Sequence, residues 1–275
     1  MLSELSLILV AQLLALGLCT GFLAGLLGIG GGMLMVPFLT VILSHHGVDA
    51  AFAVKMAIAT SMATILVTSL SSVRAHHRRG AVNWALVRGI APGIVIGGLL
   101  AGAGAFALLK GQALALFFGV FIGFSALRMV YRSKVEAVVA RPLPGRMGQA
   151  AAGTGIGFVS GLVGAGGGFL SVPFMTGCGV SIHTAVATSA ALGFPIALSN
   201  TLGYVIGGWS LPAVLPGAVG FLFVPALLVI GVGSVLMAPL GARAAHCLDR
   251  VQLQRVFALL LGSLAAYMLY RGLAG

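Results

Sequence analysis

Acidic residues are almost missing from this chain. Of 275 residues only four are Asp or Glu, and charged residues of all kinds make up 7%. A water-soluble domain needs far more charge than that to keep its surface solvated, so lipid is the implied solvent. No Walker loop, HExxH helix or GxSxG elbow occurs either, which leaves no legible catalytic set and disfavours ATP-driven work by this chain alone. Cysteine is scarce as well: Cys19, Cys178 and Cys247 have no CxxC or metal-ligand spacing, so neither a disulfide framework nor a bound metal or other cofactor is expected. The opening MLSELSLILV has no basic n-region, and Cys19 follows Leu18 rather than a small residue. Membrane structure is therefore expected from about residue 5, without a cleaved leader.

What is abundant is apolar: 60% of residues are hydrophobic, in recurring runs of the roughly 20 residues that a helix needs to cross a bilayer. The formal net charge of +11 would suggest nucleic acid in a soluble protein, but here the basic residues sit in short loops between apolar runs and speak of topology instead. No nucleic-acid partner is expected.

The chain is two copies of one unit. GFLAGLLGIGGGMLMVPFL (21–39) and GFVSGLVGAGGGFLSVPFM (157–175) match at 12 of 19 positions without a gap. AIATS (57–61) answers AVATS (185–189), and ALRMVYR (126–132) answers AAYMLYR (265–271). The first repeat is set at 1–132, a cytoplasmic linker at 133–149 and the second repeat at 150–275. After each motif come three helical runs, about 50–73, 84–109 and 113–131, then 183–206, 213–241 and 254–271.

Loop charge orients these runs. Arg74, Arg78 and Arg79 follow the first run, and Arg128, Arg132, Lys134, Arg141 and Arg146 lie at or after the third, which makes both places cytoplasmic. In the second half the bias moves by one loop: 207–212 carries no charge, whereas 242–255 carries Arg243, Arg250 and Arg255. The second half is thus expected upside down, with both termini extracytoplasmic. The expected fold is an all-α integral membrane protein of two inverted-topology repeats. Each has a glycine-broken or re-entrant helical hairpin plus three transmembrane helices, giving 8 to 10 membrane segments.

Four glycines within five residues make a continuous helix costly, at about 1 kcal/mol each relative to Ala. Pro37 and Pro173 fit the opening turn of the helix that resumes. Each motif therefore reads as helix, unwound glycine turn, helix; in the second copy the arms, about 149–163 and 169–178, are too short for ordinary spans. Irregular backbone at membrane depth is tolerated where protein or a water-filled cavity surrounds it, so two turns entering from opposite faces are expected to meet near the midplane. There, free amides and the positive end of a helix dipole favour an anion, in the arrangement usual for secondary transporters. The alternative is that the glycines only allow close helix packing.

Candidate binding residues are Gly28, Gly30, Gly31, Gly32, Gly164, Gly166, Gly167 and Gly168. To these the matched pairs Thr60 and Thr188, Ser61 and Ser189, Ser72 and Asn200, and Lys55 and His183 are added. Hydroxyls donate to an oxyanion without the desolvation cost of a full charge; their other reading is back-bonding to the preceding turn. Lys55 is an ionisable residue inside a span, or an interfacial partner of Asp49. His183 is a proton-linked group or a plain interfacial histidine. His45 and His46 read as loop residues, and His76, His77, Arg78 and Arg79 as a topology anchor.

With both GxxxGLxGxGGGxxxVPF copies and the ATS elements in view, the sequence resembles the TauE/SafE family of sulfite and organosulfonate permeases over essentially its whole length. The resemblance implies a secondary transporter (permease or exporter) of small sulfur-containing anions such as sulfite or sulfonates, multi-pass in a bacterial inner membrane. It carries over to the two glycine turns, to Pro37 and Pro173 and to the ATS hydroxyls. The family's acidic residue in a G-x-V-D-W-like element is Asn83 here, in GAVNW. An anion channel on the same scaffold and a noncatalytic membrane scaffold are the rival readings.

Overall fold

The computed structural model describes residues 6–27, 32–131, 142–210, 215–244 and 250–274. Gly28, Gly30, Gly31, most of the expected linker and Cys247 lie outside the described residues. Among those described are ten helices. The first half has α1 (Leu7–Leu27), α2 (Gly32–His45), α3 (Ala50–Arg78), α4 (Trp84–Leu108) and α5 (Gly111–Tyr131). The second has α6 (Arg146–Val163), α7 (Gly168–Gly177), α8 (Ile182–Gly208), α9 (Val224–Ala244) and α10 (Arg250–Ala274). Seven of these, all but α2, α6 and α7, contain stretches long and apolar enough to cross a bilayer. This is an all-α membrane protein.

Short polar residues start the long helices. Asp49 caps α3 by accepting from the amides of Ala51 (2.9 Å) and Phe52 (3.3 Å), and Asn83 caps α4 by accepting from Ala85 (3.1 Å) and Leu86 (3.2 Å). Asn83 thus does the capping that an aspartate would do at that place. Ser181 caps α8 through the Thr184 amide.

Pro37 and Pro173 stand one turn later than the sequence suggests, because the helices resume at the last glycine of each motif, Gly32 and Gly168. A proline in a second turn offers no amide to the carbonyl four residues back, those of Met33 and Phe169. A second difference falls in the 213–241 run, whose helix starts only at Val224. Ahead of it, Ala218–Val219 and Leu222–Phe223 pair as an antiparallel hairpin, β1 and β2, across Gly220, whose φ of +57° only glycine adopts readily.

The two halves interlock through equivalent crossings. A Cβ on Gly17 of α1 would fall 2.7 Å from the Ile230 carbonyl oxygen of α9, and one on Gly21 2.5 Å from that of Ser234. On the other side a Cβ on Gly153 of α6 would fall 2.2 Å from the Ile90 carbonyl oxygen of α4, and one on Gly157 2.4 Å from that of Ile94. Gly17 and Gly21 are the repeat counterparts of Gly153 and Gly157. In both crossings the helices run parallel, backbone against backbone. The last helices, α5 and α10, run antiparallel: Gly119 faces Leu269, Gly123 faces Ala265 and Gly272 faces Leu116. Between them α3 and α8 form the buried centre against which both motif hairpins rest.

Candidate functional site

The start of α2 and the end of α6, which flank the two glycine turns, touch. A Cβ on Gly32 would lie 2.8 Å from the Gly164 carbonyl oxygen, and the buried Ser61 hydroxyl of α3 sits between them, 3.2 Å from the carbonyl of Gly32 and 3.2 Å from that of Gly164. Ser61 thereby ties the start of α2 to the end of α6, one group from each half. The second turn is described in full. Gly164 ends α6 with φ +70° and Gly167 starts α7 with φ +73°, left-handed conformations that explain glycine at both places. Between them, the Gly166 carbonyl oxygen lies 3.9 Å from where a Cβ on Gly193 of α8 would stand.

No side chain caps α7, and the amides of Gly168 and Phe169 meet no acceptor among the described residues. Hydroxyls gather beside this helix start: Ser171 donates to the Gly167 carbonyl (3.0 Å) and pairs with Ser189 of α8 (2.7 Å). Ser160 of α6 is 2% exposed, and its hydroxyl has no partner. Neither 21–39 nor 157–175 holds an ionisable residue, so the chemistry available here is neutral N–H and O–H donation.

The matched threonines do something the sequence did not announce. Thr188 of the second half accepts from the Asn83 amide at the start of α4 (3.0 Å), and Thr60 of the first half accepts from the Phe223 amide just ahead of α9 (3.1 Å). Each hydroxyl satisfies the amide just ahead of a long helix belonging to the other half. The ATS elements therefore split in function: the serines attend the glycine turns and the threonines join the halves.

The remaining candidates stand at a distance. Lys55 lies six residues before Ser61 on α3, about 9 Å along the axis. Its ammonium donates to the Ala107 carbonyl at the end of α4 (3.0 Å) and faces the rings of Phe221 and Phe106 at 5.1 and 5.9 Å. His183 is exposed in the first turn of α8, and Ser72 is half-buried near the other end of α3. Asn200 is fully buried, its amide donating to the carbonyls of Ile196 (2.9 Å) and Gly157 (3.3 Å). Ser160 and Ser171 were missed because polar positions were sought in both halves at once; their counterparts are Ala24 and Met35. A comparison of the copies for differences would have found them.

A cavity of about 530 Å³ opens between the ends of α3 and α4, where Arg74, His77 and Trp84 line it. It reaches Ala191, Phe194 and Pro195 of α8. The Trp84 indole donates to His77 Nδ1 (3.2 Å) across its rim.

Comparison with known proteins agrees with this architecture. The family model described as Sulfite exporter TauE/SafE matches residues 13–268. A Haemophilus influenzae "Probable membrane transporter protein" is 34% identical over 248 residues, covering 90% of this chain and 93% of that one. A Methanocaldococcus jannaschii protein of the same description, MJ0441, is 25% identical with 96% of each chain covered. Bacillus subtilis YunE, again described as a probable membrane transporter, is 28% identical over 75% of this chain and 83% of its own. No solved structure matches the chain.

Proposed function

From the premise that this chain belongs to the sulfite exporter TauE/SafE family, and is thus a multi-pass membrane transporter and not an enzyme, we propose that it carries small sulfur-containing anions such as sulfite or organosulfonates. It does so as a secondary transporter of the bacterial inner membrane. The anion binds where the two glycine turns meet, held by backbone amides and by the Ser61 and Ser189 hydroxyls. The observation that carries this reading is the second turn, where Gly164 and Gly167 break the chain and the amides of Gly168 and Phe169 meet no acceptor among the described residues, with Gly32 of the other half lying against Gly164.

The two halves are inverted repeats, and alternating access exchanges their roles. Support comes from the antiparallel run of the counterparts α5 and α10 and from the paired glycine crossings. The Arg74 cavity is the cytoplasmic approach, and Lys55 stands at the opposite mouth, where its charge draws anions in.

The test is uptake into vesicles holding the purified chain, with sulfite, taurine, sulfoacetate and chloride offered in turn. Saturable flux with counter-transport of a sulfur anion is expected. Flux that never saturates would identify a channel instead, and no flux of any anion would leave only a scaffold. In the same assay Gly167→Val abolishes flux while the protein still inserts; undiminished flux in that variant would remove the turn from the mechanism.

A further inference from the structure

We propose that at this site the second copy of the motif carries a further side-chain donor that the first copy lacks, the Ser160 hydroxyl, and that the bound group is a monovalent oxyanion. This rests on the anion-transporter reading above and adds which half donates, through which residue, and in what charge state.

Ser160 is 2% exposed and its hydroxyl has no partner, which for a buried polar group is a standing cost unless something else satisfies it. That hydroxyl faces the head of α7: it lies 3.3 Å from where a Cβ on Gly167 would stand. The Ile196 Cδ1 lies 2.2 Å from the same point, so an entering anion takes the place of that flexible methyl end. Around the same point are the uncapped amides of Gly168 and Phe169, at the positive end of a ten-residue helix. Beside them is the Ser171–Ser189 hydroxyl pair. The free donors here are thus the α6 hydroxyl and the two α7 amides, and the Ser171–Ser189 pair adds a hydrogen only by giving up one of its own bonds. In the first copy Ala24 and Met35 replace Ser160 and Ser171, and an anion there would lose both hydroxyls.

The charge state follows from what the turn lacks. No ionisable residue occurs in 21–39 or 157–175, and Lys55 is engaged about 9 Å further along α3. Neutral N–H and O–H groups replace much of the hydration of one negative charge. A second charge taken out of water with no cation beside it carries a far larger desolvation penalty. The turn therefore selects a sulfonate or a hydrogensulfite-like monoanion over sulfate or thiosulfate.

The experiment is thermal unfolding of the full chain in detergent with methanesulfonate, a permanent monoanion, or sulfate, a dianion, at matched ionic strength; ligand bound only to the folded state raises the Tm. Methanesulfonate is expected to raise the Tm, and sulfate at the same concentration is not. Ser160→Ala should weaken methanesulfonate binding about tenfold. Its ligand-free Tm should equal or exceed wild type, because the hydroxyl it deletes has no partner within the protein. Ala24→Ser should bind as wild type does. Sulfate protection equal to that of methanesulfonate, or wild-type affinity in Ser160→Ala, would overturn the proposal and leave the anion-transporter reading standing. If neither anion protects and vesicles show no sulfur-anion flux, both fall together.

Discussion

At the scale of single residues, hydroxyls do the work that charges do in soluble proteins. Thr60 and Thr188 each satisfy the amide just ahead of a long helix from the opposite half. A valine keeps their shape but strands that amide, and an unpaired donor of this kind costs roughly 1–3 kcal/mol. Thr188→Val is therefore expected to lower the Tm measurably in detergent while Thr188→Ser holds it; equal stability of the valine and serine variants would argue against the staple. Lys55 plays a different part. Its ammonium is held by one carbonyl and two ring faces, with no carboxylate beside it among the described residues. Lys55→Gln should raise the half-saturating anion concentration and leave maximal flux near wild type. That rise should shrink as salt screens the field, over a Debye length of about 8 Å at physiological ionic strength. A salt-independent change would point to a structural role instead.

At the scale of elements, glycine sets how near two helices come. The α1–α9 and α6–α4 crossings put glycine Cα atoms against carbonyl oxygens, and any β-branched side chain there must push the pair apart. Gly153→Val and its counterpart Gly17→Val should both abolish the monodisperse, folded protein in size-exclusion chromatography. Gly155, two residues on, meets nothing within 4 Å, so Gly155→Ala should be tolerated. If both substitutions at 153 and 155 were tolerated alike, close approach would not be what holds α6 on α4. The same elements show why parts of the fold were legible and parts not. The apolar runs are local signals, and α3 and α4, which Asp49 and Asn83 cap, start where those runs put them. The β1–β2 hairpin was unreadable because its partner is remote: Phe223 is anchored by Thr60, far away in sequence.

At the scale of the whole molecule, the helix directions make one consistent set. The α1 and α9 pair is parallel, as is the α4 and α6 pair, whereas α5 opposes α10. Combined with Arg74, Arg78 and Arg79 at the end of α3, this predicts that the start of α1 and the end of α10 face the periplasm while residues 79–83 face the cytoplasm. Single cysteines introduced at Gly80 and at Gly47, in a background with the native cysteines replaced, should label from opposite sides of intact cells with a membrane-impermeant thiol reagent. Labelling of both from the same side would refute the arrangement.

The sequence by itself determined the solvent, the duplication and most of the helices, because apolar length and repeated motifs are written along the chain. It also marked the two glycine turns. Only the tertiary structure decided what those turns meet. Ser61 joins Gly32 to Gly164, the threonines of one half satisfy amides of the other, and Ser160 is left as a buried hydroxyl without a partner. These are contacts between residues far apart in the chain, and whether a hydroxyl is satisfied or free depends on which backbone group folding brings beside it.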